Sequence, residues 1–302
     1  MRQVRGGSKA HLDGQVALVT GASRGIGSHV ASHLASLGAA VVCAARTISE
    51  GDNPHLGGSL ASTVDAIRES GGRAAAVAVD LADERSCREL VDKAASAFDR
   101  PVDLLINNAA VGFFGPVVEL PLKRWRVSWE VTVTAPLLLS QLVLPDMLRQ
   151  GAGRIINLTS ESAVGPGRGP YPDGYEPVGD TAYGAQKAAV ERFTQGMAAE
   201  VVDRGVGVAA IAPSQIVPTP GAIFNGIITG ADDPRAEPPG HLAEAIALLA
   251  TLPLDEVAGR VVYSQQLLTE YRLLAGGAGR GVDPALPISG FALRRPAEEG
   301  AR

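Results

Sequence analysis

Short apolar runs alternate along this chain with longer segments whose apolar positions recur at helical spacing. The runs at 16–19, 40–44, 75–79, 103–106, 153–158, 206–211 and 260–263 are apolar throughout or nearly so, as expected of parallel strands covered on both faces. Helical patterning fills 28–37, 60–70, 84–98, 122–149, 181–204 and 241–252. Strand and helix alternating in this way predict an α/β fold, a Rossmann-type doubly wound parallel sheet with ligands at the carboxyl ends of its strands. The segment 122–149 is apolar on more than one side and is interrupted by Pro136, so either the sheet and a neighbouring helix cover it or a second subunit does. Three stretches break the rhythm. Residues 47–58 read as a surface insertion, 163–180 as an irregular loop, and 217–240, rich in Pro and Gly, as a mobile lid or substrate loop.

Composition narrows the function classes. Of 302 residues, 46% are hydrophobic and 20% charged, enough to bury one large core over residues 12–275, between an N-terminal extension at 1–11 and a C-terminal tail at 276–302. No internal repeat is evident. A formal net charge of −5 gives no electrostatic reason to bind nucleic acid or an anionic membrane. Residues 1–11 are basic and lack an apolar run, so they read as neither signal peptide nor membrane anchor. Cys43 and Cys87 have no metal-ligand spacing; no metal is expected, and two buried free thiols fit a reducing, cytoplasmic setting.

The first strand runs into Thr20-Gly21-Ala22-Ser23-Arg24-Gly25-Ile26-Gly27, which opens a helix. A strand, a glycine-rich turn and a helix start can cradle a dinucleotide pyrophosphate, although an ordinary β-to-α connection has the same outline. The second strand ends at Ala45-Arg46 with no carboxylate to bind a ribose 2′-hydroxyl. Arg46, with Arg24, therefore points to NADP(H) rather than NAD(H); a solvated loop arginine is the alternative. Asp80 and Leu81 follow the third strand, where Asp80 could accept from an adenine amino group. Asn107-Asn108-Ala109 follow the fourth, where buried amides tie strand ends together or touch a cofactor.

Ser160 lies just after the fifth strand, and Tyr183 and Lys187 lie four apart on one face of the next helix. A neighbouring ammonium lowers the pKa of a phenol, and a serine hydroxyl can polarise a substrate carbonyl. Taken together, the glycine turn, Asp80, Asn107-Asn108-Ala109, Ser160, Tyr183-Gly184-Ala185-Gln186-Lys187 and Pro213 resemble the short-chain dehydrogenase/reductase family over residues 12–263. The resemblance implies strand order 3-2-1-4-5-6-7. It implies Tyr183 as general acid/base, Lys187 lowering its pKa and holding the nicotinamide ribose, and Ser160 positioning the substrate oxygen, with Ile216 and Thr219 beside the carboxamide. It also implies homodimers or homotetramers paired through the helices containing Val131 and Ala188.

The chain departs from the family pattern in three places. Thr132 stands where many members have an asparagine that connects the lysine to solvent. Ala110 and Ser214 replace the usual glycines, and Ser160 and Tyr183 are farther apart than usual, the extra residues including Tyr171 and Tyr175 beside the predicted site. Phe113, Phe114 and the 217–240 lid would give an apolar pocket for a small hydrophobic ketone, steroid-like or acyl-chain substrate. The leading expectation is an NADP(H)-dependent oxidoreductase; the alternative is a catalytically weak or inactive NADP(H)-binding sensor or scaffold.

Overall fold

The structure is a computed structural model that describes residues 11–167, 169–171, 173, 176–277 and 279. Most of the expected N-terminal extension and C-terminal tail, and Tyr175, lie outside the described residues. Seven parallel strands form one sheet: β1 Val16–Thr20, β2 Ala40–Ala45, β3 Arg73–Ala78, β4 Leu104–Asn107, β5 Gly153–Leu158, β6 Val206–Ala212 and β7 Val261–Tyr263. Their order is β3-β2-β1-β4-β5-β6-β7, as the resemblance implies. Helices α1 Gly25–Ser36, α2 Leu60–Glu69, α8 Pro239–Thr251 and α9 Ser264–Glu270 cover one face, burying Leu34, Val64, Leu249 and Leu267. On the other face α3 Glu84–Ala97, α5 Ala135–Gln150 and α6 Thr181–Val201 bury Leu90, Leu139 and Met197. Strand order reverses between β1 and β4, so the crevice for a ligand opens at the carboxyl ends of those two strands.

Most boundaries fall within two residues of the sequence expectation, and the exceptions have local causes. Helix α1 starts at Gly25, before the apolar pattern begins, because its first turn belongs to the glycine-rich turn itself. The long central helix is α4 Leu122–Trp129 followed by a π turn at Glu130–Thr134 and then α5. Pro136 has no N–H to offer the carbonyl four residues back, that of Thr132, and the helix widens there instead of breaking. Within the lid, α7 Pro220–Phe224 forms a single turn capped by Thr219, whose Oγ1 accepts from Ala222 N at 3.1 Å. Helix α9, not expected from the sequence, is pinned by a buried polar knot: Glu237 accepts from Ser264 Oγ at 2.7 Å and from Gln265 Nε2 at 2.8 Å.

Candidate active site

The glycine turn is held open by groups that leave no room for side chains. Gly21 has φ +69, and a Cβ there would lie 2.8 Å from Asn108 Nδ2. A Cβ on Gly27 would lie 2.3 Å from the Gly21 carbonyl oxygen, so the helix meets the turn backbone to backbone. Thr20 and Asn108 lock this corner: Thr20 Oγ1 accepts from Asn108 N at 3.0 Å and Ala109 N at 3.1 Å, and Asn108 Nδ2 donates to the Thr20 carbonyl at 2.7 Å. The first turn of α1 carries no acidic residue and no side-chain cap, which leaves its N–H groups to an anion. A crevice of about 790 Å³ runs from this turn past Ser23, Arg24, Gly25, Ile26, Arg46, Asp80, Leu81 and Ala109 to Ser160, Tyr183, Lys187, Pro213 and Thr219. The turn and the crevice fit a dinucleotide in both chemistry and size.

The insertion at 47–58 is part of this crevice and not a bystander on the surface. Asp52, Asn53, Pro54 and Leu56 line it, because Arg24 reaches across to donate from Nε to Gly57 O at 2.7 Å and from Nη2 to Gly58 O at 2.6 Å. Two of the five N–H donors of Arg24 are thus spent on the protein's own loop, while its side chain still lines the crevice. Arg46 remains exposed at the exit of β2. Asp80 is exposed, its Oδ1 accepting locally from Ala82 N at 3.0 Å.

At the other end of the crevice, β5 and α6 bring the reactive side chains together. Lys187 is buried, its Nζ donating to Leu158 O at 2.6 Å and lying 5.5 Å from the centre of the Tyr183 ring. Burial lowers its pKa to about 8, against the raising influence of Glu191. Desolvation, then the charge of Asp180, push the Tyr183 phenol up to about 12. A phenol so raised holds its proton at neutral pH and is set as a donor. Ser160 Oγ accepts from Ser162 N at 3.3 Å, which leaves its own proton for an oxygen in the crevice. Phe114 leans on Tyr183 with ring centres 5.6 Å apart.

With that geometry in place, a model of the short chain dehydrogenase family matches residues 15–223. The chain belongs to the short-chain dehydrogenase family. A short chain dehydrogenase from Pseudocercospora fijiensis is 35% identical over 231 residues, 76% of this chain and 68% of that protein. A 3-oxoacyl-[acyl-carrier-protein] reductase from Synechocystis is 34% identical over 245 residues, 80% of this chain and 91% of that protein. Among solved structures, a metagenomic short-chain oxidoreductase in complex with NADP superposes with a TM-score of 0.65 at 32% identity, covering 83% of this chain and 98% of that one. Short-chain dehydrogenases are oxidoreductases that act on alcohols and ketones.

Three of the residues expected in this dehydrogenase's site lie outside the crevice lining. Asn107 is buried and ties strands together, its Nδ2 donating to Asn157 Oδ1 at 2.8 Å and to Pro136 O at 3.4 Å. Ile216 is engaged through its backbone, bridging to Ala236 at the far end of the lid. Thr132 sits buried in the π turn, where its hydroxyl accepts from Val111 N at 3.2 Å and braces the loop after β4. Val111, Gly112 and Thr159 line the crevice without having been singled out in the sequence, and Val131, expected only to mark a subunit contact, lines it too. They follow β4, sit on the π turn or end β5, and only adjacency to Asn107-Asn108-Ala109, Thr132 and Ser160 could have flagged them.

Proposed function

We propose that this short-chain dehydrogenase transfers hydride between NADP(H) and a carbonyl or secondary alcohol of a small, apolar substrate. The observation that carries this reading is that Tyr183, Lys187 and Ser160 line the same crevice as the glycine turn. When bound, the nicotinamide supplies or accepts the hydride. In the reducing direction Tyr183 gives its proton to the substrate oxygen, Ser160 donates a hydrogen bond to that oxygen, and the Lys187 ammonium stabilises the phenolate left behind. The exposed Arg46, with no carboxylate in its place at the end of β2, favours a 2′-phosphate over a free 2′-hydroxyl. Phe114 against the phenol ring, and Ile223 and Phe224 exposed on α7, support an apolar substrate. Tyr171, expected to help shape the pocket, donates to Gly167 O at 3.1 Å and is not among the crevice-lining residues. Residence in the cytoplasm belongs to the same reading, with Cys43 and Cys87 buried as free thiols.

The test is NADPH oxidation with a panel of ketones, wild type against Tyr183→Phe. We expect the variant to lose turnover by roughly 10²-fold or more, as for removal of a general acid, while binding NADPH with unchanged affinity. Arg46→Ala should weaken NADPH roughly tenfold and leave NADH unaffected, the loss of one charge-assisted contact. A second reading, a binder of NADP(H) without turnover, draws on Thr132 being engaged by Val111 and on the high phenol pKa. It gains if NADPH binds tightly and no ketone in the panel is reduced.

A further inference from the structure

Strand β5 delivers three consecutive residues, and each holds a different part of the site. The Leu158 carbonyl accepts from Lys187 Nζ at 2.6 Å, the Thr159 hydroxyl donates to Glu191 Oε1 at 2.8 Å, and Ser160 lines the crevice. Lys187 and Glu191 are four apart on α6 and so share a helix face, where the lysine and the acid are each tied to one of two adjacent residues. Thr159 is itself buried, and its Oγ1 also reaches the Lys187 carbonyl at 3.5 Å. The ammonium and the carboxylate are therefore anchored side by side on adjacent residues at the exit of β5, without a direct ion pair between them. On the opposite side, Thr132 turns its hydroxyl to Val111 N.

We propose that Glu191 is the counter-ion that keeps the buried Lys187 charged, with Thr159 fixing its carboxylate, and that it is thereby a positioning residue for the chemistry at Tyr183. The ionisation of the neighbours agrees. Burial drives Lys187 toward the neutral form and Glu191 opposes it; the Glu191 carboxyl is raised by burial and lowered by the Thr159 hydrogen bond and by Lys187. Two further acids face this unit. Glu161 acts with Glu191 on Tyr263 at the end of β7, and Asp180 acts on Tyr183 and Glu161. A neutral amine would do little to support a phenolate, so the charge on Lys187 is the quantity that Glu191 protects.

The inference rests on the proposed role of Tyr183 and Lys187, but its test reads the lysine directly. The chain has four lysines, Lys9, Lys93, Lys123 and Lys187, so ¹⁵N-lysine NMR gives few Nζ signals, and Lys187 is the one lost in Lys187→Arg. Glu191→Gln should lower the titration midpoint of Lys187 by about one pH unit, the low end for losing a nearby opposite charge. Glu191→Asp should restore part of the shift. Thr159→Val, which frees the carboxylate, should lower the midpoint in the same direction, and Thr159→Ser should not. In the active enzyme, turnover of Glu191→Gln should fall relative to wild type more steeply between pH 7 and pH 9, with the KM for NADPH unchanged. Coincident Lys187 midpoints in wild type, Glu191→Gln and Thr159→Val would overturn the proposal. If Glu191→Gln does not fold, the Thr159→Val and Thr159→Ser pair decides it. Absence of activity in all forms, with the midpoint shifted as expected, would count against Tyr183 as the acid and not against Glu191 as the counter-ion.

Discussion

Glu161 follows the serine that faces the crevice, and it has been drawn far from an ordinary carboxyl. Desolvation and then the charge of Asp180 push it up to about 7. In the unfolded chain the same group loses its proton near the ordinary glutamate value. Between those two values the folded state holds a proton that the unfolded state does not, so stability falls as pH rises through that window. Glu161→Gln keeps the size and the neutral form. We expect its melting temperature to match wild type at pH 4.5 and to exceed it at pH 8, by calorimetry at the two pH values; equal melting temperatures at pH 8 would remove the argument. The same physics limits what a sequence discloses at this scale. Tyr183, Lys187 and Ser160 are legible from their spacing and chain order, but the degree to which burial raises the phenol and lowers the ammonium depends on Asp180, Glu191 and the strand exits around them.

Elements were easier to read than the contacts between them. Apolar runs mark all seven strands, those inside the sheet because parallel strands covered on both faces contain little else, and the glycine turn marks the corner where β1 meets α1. The insertion at 47–58 was legible only as a loop. Its role comes from Arg24, distant in sequence, which holds it over the crevice, and from His55, whose ring stacks against Phe224 of α7 with centres 5.6 Å apart. Insertion and lid thus meet across the crevice. Two partly exposed guanidinium-to-carbonyl bonds are worth roughly 1–2 kcal/mol, or about tenfold in the population of an opened loop. Arg24→Ala is therefore expected to be cut within 47–58 about tenfold faster by a protease under native conditions, with NADPH slowing the cleavage. Cleavage at the wild-type rate would mean that the loop is held by other groups.

For the whole molecule, the run Leu122–Gln150 decides how the fold meets its surroundings. By length and composition alone it could cross a bilayer, yet half of its most apolar window is buried in this fold, by the sheet and by α3 and α6. What remains outside mixes apolar side chains with charged and polar ones: Leu122 is 58% exposed and Leu137 38%, beside exposed Lys123, Arg124, Arg126, Glu130 and Gln141. A helix covered by its own sheet on one side, with Leu137 exposed on the other, suits a two-fold pairing in which the same face meets its copy, and we propose a homodimer or homotetramer built on it. The symmetry makes the proposal sharp, since one substitution places a charge on both sides of the contact. Leu137→Glu, at a position the core does not need, should leave the melting curve of the subunit near wild type and lower the mass measured by light scattering to that of a single chain at micromolar concentration. Retention of the wild-type mass would locate any pairing elsewhere. Because the same helix carries the π turn and Thr132, which braces Val111 beside the crevice, a separated chain should also lose turnover before it loses secondary structure.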